Sequence, residues 1–166
     1  MLITGGSRGI GAATTRLAAE RGWDVCVNYV AQRDTAEGLC REIEATGRRA
    51  IAVGADVSQE GDVAAMFETA FDSFGRLDSL VNNAGILDRQ GRLTDFSLDR
   101  FRRVLDVNVI GTFLCSREAV RRMSTRSGGH GGTIVNLSSR AAQLGSPNEY
   151  VDYAAAKGAV ESLTIG

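Results

Sequence analysis

The chain has 166 residues, enough to bury one core, and a formal net charge of −1. Hydrophobic residues make up 43% and charged residues 23%, the balance of an ordinary globular domain. That balance offers no basic field for a nucleic acid or an anionic membrane. No apolar run approaches the roughly 18 residues of a membrane span, and no basic segment with an apolar signal core opens the chain. Cys26, Cys40 and Cys115 are odd in number and far apart. They argue against a disulfide framework or a zinc site and for reduced, mostly buried thiols in a cytoplasmic protein. His130 is the only histidine; without companion ligands it implies no metal site.

Residues 1–3 form a short apolar run that ends at a glycine turn. Ile10, Ala13, Leu17 and Ala18 then recur at helical spacing, and Gly22 closes that helix. Val25, Val27 and Tyr29 alternate with Cys26 and Asn28 as a strand. A second helix is expected over 34–46, with Ala36, Leu39, Cys40 and Ile43 on one face. A short strand follows over 50–54. Ser58 is the expected N-cap of a third helix carrying Val63, Met66, Phe67, Ala70 and Phe74, with Gly75 as its stop. A fourth strand ends at 80–82, and 86–95 reads as loop. Residues 97–123 are helical, with a break expected near Gly111. Residues 127–132 read as a glycine-rich surface turn, 133–137 as a fifth strand and 138–152 as loop. A last helix starts near Tyr153. Strands alternating with helices predict an α/β fold: a doubly wound, Rossmann-like parallel sheet in three layers, of order 3-2-1-4-5.

The turn Thr4-Gly5-Gly6-Ser7-Arg8-Gly9-Ile10-Gly11 lies between a strand and a helix. In that place glycines let backbone approach a pyrophosphate, and the helix N-terminus supplies amide donors and positive potential. The spacing is Gly-x3-Gly-x-Gly, not the commoner Gly-x-Gly-x-x-Gly. The second strand ends at Asn28-Tyr29, where an acidic residue would bind the adenosine ribose hydroxyls of NAD. None stands there, which permits the 2′-phosphate of NADP. Arg8, and less directly Arg33, would pair with that phosphate. NADP is favoured and NAD remains possible.

Tyr153 and Lys157, at i and i+4, share one face of the last helix. A tyrosine near its ordinary pKa of about 10 is a poor base at neutral pH, and a neighbouring ammonium favours its phenolate. Such a pair suits proton transfer beside a hydride transfer. Ser139 follows the fifth strand, at the carboxyl ends where these sheets bind ligands.

The glycine turn, Asn82-Asn83-Ala84-Gly85, Asn108, Ser138-Ser139 and Tyr153-Ala154-Ala155-Ala156-Lys157 occur in one order. On these residues the chain strongly resembles the short-chain dehydrogenase/reductase family, in its oxoacyl-reductase and sugar-dehydrogenase-like branch, throughout 1–166. The resemblance implies one dinucleotide-binding and catalytic domain over 1–166. Its substrate would be a small-molecule carbonyl or secondary alcohol. Tyr153 would be the acid/base, with Lys157 lowering its pKa and holding the nicotinamide ribose. Ser139, rather than Ser138, would hydrogen-bond the substrate oxygen. Asn108 would hold a water linking Lys157 to solvent. Gly5, Ser7, Arg8, Gly9, Ile10 and Gly11 would cradle the cofactor, with Asn28 and Tyr29 at its ribose. Asp56 and Val57 would sit by the adenine, and Asn82, Ala84 and Gly85 would line the cofactor and brace the sheet. Tyr150 and Asp152 flank the site and read as surface loop.

Measured against that family, both ends look short. A C-terminal truncation is expected, with the later strands and one substrate wall missing and the fifth strand left as an exposed edge. The parent enzyme would be a homodimer or homotetramer. The alternatives are a cofactor-binding fragment without turnover and an NAD-dependent sugar or polyol dehydrogenase.

Overall fold

The computed structural model describes residues 1–166. Five strands form one wholly parallel sheet: β1 (Leu2–Ile3), β2 (Val25–Tyr29), β3 (Ala50–Gly54), β4 (Ser79–Asn82) and β5 (Thr133–Asn136). Their spatial order is β3-β2-β1-β4-β5, as predicted. The chain reverses its direction of winding at β1, so the crevice between the carboxyl ends of β1 and β4 is the switch point.

Successive strand residues face opposite sides of the sheet, and two cores result. On one face Leu2, Cys26 and Leu80 pack against α3 (Glu60–Phe74) and α5 (Gly111–Met123) through Met66, Phe67, Leu114 and Cys115. On the other, Ile3, Val25, Val27 and Val81 meet α1 (Gly9–Glu20) and α2 (Arg33–Glu44) through Ala12, Ala18, Leu39 and Ile43. Phe67, Leu2 and Ile3 are among the largest fully buried side chains. The three cysteines are free and buried. No helix is long and apolar enough to cross a membrane.

Two local expectations need correction, the Ser58 cap and the uninterrupted loop over 138–152, while the break near Gly111 takes a definite form. Ser58 does not cap α3. Gln59 stands at that position without a side-chain cap bond, while the Ser58 hydroxyl donates to Asp56 Oδ1 at 2.7 Å. Glu60 and Asp62 in the first turn answer the helix dipole instead.

The break near Gly111 is one wide π-turn, Asp106–Ile110, joining α4 (Leu98–Leu105) to α5. Gly111 is required there because a Cβ would meet Val57 Cγ2 at 2.7 Å. The expected loop 138–152 contains a short helix, α6 (Ala141–Leu144), and the last helix, α7 (Val151–Ile165), starts two residues before Tyr153. β5 pairs with β4 alone, and Thr133 and Val135 are exposed, as expected of an edge.

Candidate active site

The glycine turn is held from three sides. From β2, the Gly5 N–H donates to Asn28 Oδ1 at 3.0 Å and the Gly6 N–H to the Asn28 carbonyl at 2.9 Å. From α1, the Thr15 hydroxyl reaches the carbonyls of Gly6 and Gly11. Past β4, Asn83 Nδ2 donates to the carbonyls of Thr4 and Gly5 at 2.9 and 3.0 Å. Thr4 returns the contact, its hydroxyl oxygen accepting from the N–H groups of Asn83 and Ala84. A Cβ on Gly11 would stand 2.2 Å from the Gly5 carbonyl oxygen. Gly5 has φ +58°, in the left-handed region.

The turn delivers the N-terminus of α1 to the crevice. No side chain caps that end. Its first-turn N–H groups have no intrahelical acceptor and are donors in search of an anion. They open onto a cleft of about 800 Å³, a size suited to a cofactor. Gly5, Ser7, Arg8, Gly9 and Ile10 form its floor, and Tyr29, Val30, Ala31 and Gln32 form one wall. Asp56, Val57, Ala84, Gly85 and Val107 line the far side, and Arg102 and Arg103 of α4 flank it. Arg8 is exposed and is in no ion pair, whereas Arg103 is paired with Asp88. The uncapped donors, the apolar side chains of Val57 and Val107 and the free Arg8 fit a dinucleotide.

The structure separates the expected cofactor residues into two groups. Tyr29, Asp56, Val57, Ala84 and Gly85 reach the cleft. Asn28 and Asn82 do not. Asn28 is 1% exposed, and its Nδ2 donates to the Ala55 carbonyl at 2.9 Å while its Oδ1 holds Gly5. Asn82 is spent on Ser116 and Asn136. Asn28 braces backbone, whereas Asn82 ties β4 to α5 and β5 through side chains. Gly11 likewise shapes the turn from within. Arg33 turns away to Glu37 at 2.6 Å. Sequence reasoning missed the bracing by Asn83 and Thr15. The signal for Thr15 was a hydroxyl on the sheet-facing side of a helix otherwise lined by alanines.

Beyond this cleft, whose lining includes none of Ser139, Tyr153 and Lys157, α7 carries Tyr153 and Lys157 on one face. Lys157 Nζ lies 5.5 Å from the centre of the Tyr153 ring and donates to the Leu137 carbonyl at 2.6 Å. Tyr153 is half-buried and Lys157 buried; desolvation holds the Lys157 ammonium below its ordinary pKa. Ser138 donates to Glu161 Oε1 at 2.8 Å, against α7. Ser139 points elsewhere and accepts only from the Ala141 N–H, at 3.2 Å, so its hydroxyl proton is free for a ligand.

Asn108 is fully buried within the π-turn. Its Oδ1 accepts from the Ile86 N–H and its Nδ2 donates to the Ile86 carbonyl, both at 2.9 Å. Its own carbonyl accepts from the Thr112 hydroxyl. The side chain therefore pins the segment after β4 rather than facing the cleft. Asp152, expected at the surface, is 1% exposed and paired with Arg100. His130 is exposed, and no group of three or more metal-ligating side chains gathers anywhere.

A doubly wound sheet with an uncapped helix N-terminus at its switch point defines a nucleotide-binding α/β protein. The family model for the short chain dehydrogenases matches residues 1–166, and the chain belongs to that family. It is 52% identical over 166 residues to the uncharacterized oxidoreductase YgfF of Escherichia coli (strain K12), covering 99% of this chain and 67% of that protein. It is 39% identical to a 3-oxoacyl-(acyl-carrier-protein) reductase of Synechocystis, covering 98% of this chain and 64% of that protein. The crystal structure of a short chain dehydrogenase from Burkholderia cenocepacia J2315 in complex with NADP superposes with a TM-score of 0.91 at 40% identity. That match covers 98% of this chain and 64% of the other. The chain thus spans about two thirds of the length of these relatives.

Proposed function

We propose that residues 1–166 form the single cofactor-binding and catalytic domain of a cytoplasmic NADP(H)-dependent oxidoreductase acting on a small carbonyl compound or secondary alcohol. One observation carries this reading. The uncapped N-terminus of α1 opens onto a dinucleotide-sized cleft. The NADP complex of the Burkholderia relative supports it.

Bound NADP(H) supplies or accepts the hydride. The chain does the rest. Tyr153 gives its phenolic proton to the carbonyl oxygen during reduction and takes it back during oxidation. The Lys157 ammonium favours the phenolate that is left and holds the nicotinamide ribose. Ser139, with its hydroxyl proton uncommitted, donates to the substrate oxygen. Arg8 binds the 2′-phosphate, since no carboxylate stands among Tyr29, Val30, Ala31 and Gln32 to repel it. The whole protein is a homodimer or homotetramer in this reading, with Ile110, Phe113 and Val120, each more than two-fifths exposed, as contact residues. Light scattering checks that.

The decisive experiment titrates NADPH and NADH by fluorescence and then follows nicotinamide absorbance with ethyl acetoacetate as a probe ketone. NADPH binds at least about tenfold more tightly than NADH, and Arg8→Ala removes the difference, as loss of a charge-assisted hydrogen bond would. A clear preference for NADH overturns the cofactor assignment. Binding without turnover of any ketone overturns the catalytic one.

A further inference from the structure

Arg100 joins three parts of the chain that lie far apart in sequence. It stands in the first turn of α4, where its own N–H donates to Ser97 Oγ at 3.1 Å. Its guanidinium grips Asp152 by a fork, Nε to Oδ2 at 2.7 Å and Nη2 to Oδ1 at 3.2 Å. Nη1 donates to the carbonyl of Arg89 at 2.7 Å. The Phe96 ring lies against it, 3.6 Å from the guanidinium carbon to the ring centre. The side chains of Arg100 and Asp152 are only 13% and 1% exposed. Lysine has no planar fork to replace these contacts.

Asp152 immediately precedes Tyr153. Its Oδ1 also accepts from the Tyr153 N–H at 2.9 Å, and its charge meets the positive end of α7. A second tie runs parallel: the Gly91 N–H donates to the Glu149 carbonyl at 3.1 Å, and Gln90 Nε2 to Glu149 Oε1 at 3.2 Å. The lead-in to α7 also holds Ser146 and Asn148 at φ +44° and +58°, a backbone state that such residues keep only where the surroundings fix it.

We propose that Arg100 is a positioning residue for Tyr153. The Arg100–Asp152 fork sets the first turn of α7 against residues 86–92 and so fixes where the phenolic hydroxyl meets the substrate oxygen. The proposal rests on the acid/base role given to Tyr153 above. Two features set its consequence. A misplacement of about 1 Å at a reacting group costs about 100-fold in rate. Removal of one partner also leaves the other as an uncompensated buried charge beside the acid/base.

The test compares Arg100→Met, Arg100→Lys and the double variant Arg100→Met/Asp152→Leu with wild type, using NADPH and ethyl acetoacetate. Four readouts are taken: the NADPH dissociation constant, kcat against KM, the isotope effect on kcat with C4-deuterated NADPH, and amide exchange.

In Arg100→Met, kcat falls by about 30-fold, and its isotope effect rises toward the value of a rate-limiting hydride transfer. The NADPH dissociation constant stays within about twofold, and faster amide exchange is confined to residues 86–92 and 150–154. Arg100→Lys recovers little, and the double variant recovers part of kcat because no orphan carboxylate remains. A purely structural role lowers thermal stability and the active fraction but leaves the isotope effect unchanged. Wild-type kcat and isotope effect in folded Arg100→Met or Arg100→Lys overturn the proposal alone. A wild type that binds NADPH yet reduces no ketone overturns the acid/base reading of Tyr153 and the proposal with it.

Discussion

The two ends of the sheet's carboxyl edge are built by different means. At the β1–β2 end, β2 is buried over its first four residues, and the glycine turn is bonded to β2, to α1 and to the segment after β4. The surface offered to a ligand there is mostly backbone, held in place by the buried side chains Asn28, Thr4 and Thr15. At the β5–α7 end, alternate residues of β5 are exposed and the strand has one neighbour. The groups that would do chemistry there are side chains, Tyr153 and Lys157 on α7 and Ser139 just after β5, with α7 steadied by two polar ties, Lys157 to Leu137 and Asp152 to Arg100. The binding end should therefore fail as a unit, and the chemical end one residue at a time.

The largest effect separates the two ends cleanly. Tyr153→Phe removes the only phenolic hydroxyl of α7. Turnover of ethyl acetoacetate is expected to fall about 1,000-fold, within the range of lost acid/base catalysis. NADPH affinity and thermal stability stay near wild type. A Tyr153→Phe protein with near-normal turnover would refute the division.

At the binding end the contrast reverses. Gly11→Ala drives a Cβ to 2.2 Å from the Gly5 oxygen. It should cost about 3 kcal/mol of stability by overpacking, and NADPH affinity should fall with it. Gly9 serves as the control. Its Cβ would meet nothing within 4 Å, and only its φ of +53° resists substitution, a cost of about 1 kcal/mol. Equal losses in the two variants, followed by thermal unfolding, would show that crowding in the turn is not what matters.

Asn28→Ala is the next step down. It strands the Gly5 N–H and the Ala55 carbonyl in a buried site. About 2 kcal/mol of stability should be lost, with a parallel loss of NADPH affinity although Asn28 never touches the cleft. Unchanged affinity in a destabilised Asn28→Ala protein would break the claim that binding is set through the backbone.

The two ends also differed in how much could be read beforehand. Sheet order followed from alternating strands and helices, and the glycine turn from its place between them, because both are local patterns. The lining of the cleft by Asp56 and Val57 followed from the family resemblance. The misreadings were of another kind. Asn28 is expected at the ligand but braces backbone, Asn82 is expected both to line the cofactor and to brace the sheet and does only the second, and Asp152 is expected at the surface but is buried. In each case the partner lies far away in sequence: Asn28 with Ala55, Asn82 with Asn136, Asp152 with Arg100. Nothing in the spacing of a single polar residue tells whether it faces a ligand or another part of the chain. The π-turn is similar. Gly111 marked an irregularity, but its form depends on Val57 and Ile86 pressing from other elements.

The smallest expected effect is one of pH, and it bears on what the chemical end costs the fold. Burial lowers the Lys157 pKa from 10.5. The folded state therefore releases this proton before the unfolded state does. Where the ammonium is charged in both states, its desolvation is a full cost to folding. As pH rises through the folded pKa toward 10.5, the unfolded chain holds more protons at this site, and stability recovers. Lys157→Met removes that cost along with the bond to the Leu137 carbonyl, so it should abolish most turnover, and its stability relative to wild type should be highest near pH 7. That relative stability should fall near pH 10. The buried thiols act the other way: Cys26 and Cys115 are pushed up to about 12 and Cys40 to about 11, so both proteins lose stability above pH 9 as the unfolded thiols ionise. That loss is common to the pair and cancels in the difference. Urea unfolding of wild type and Lys157→Met at the two pH values measures it, and a difference that stays constant or grows with pH would show that the Lys157 charge is not a burden on the fold.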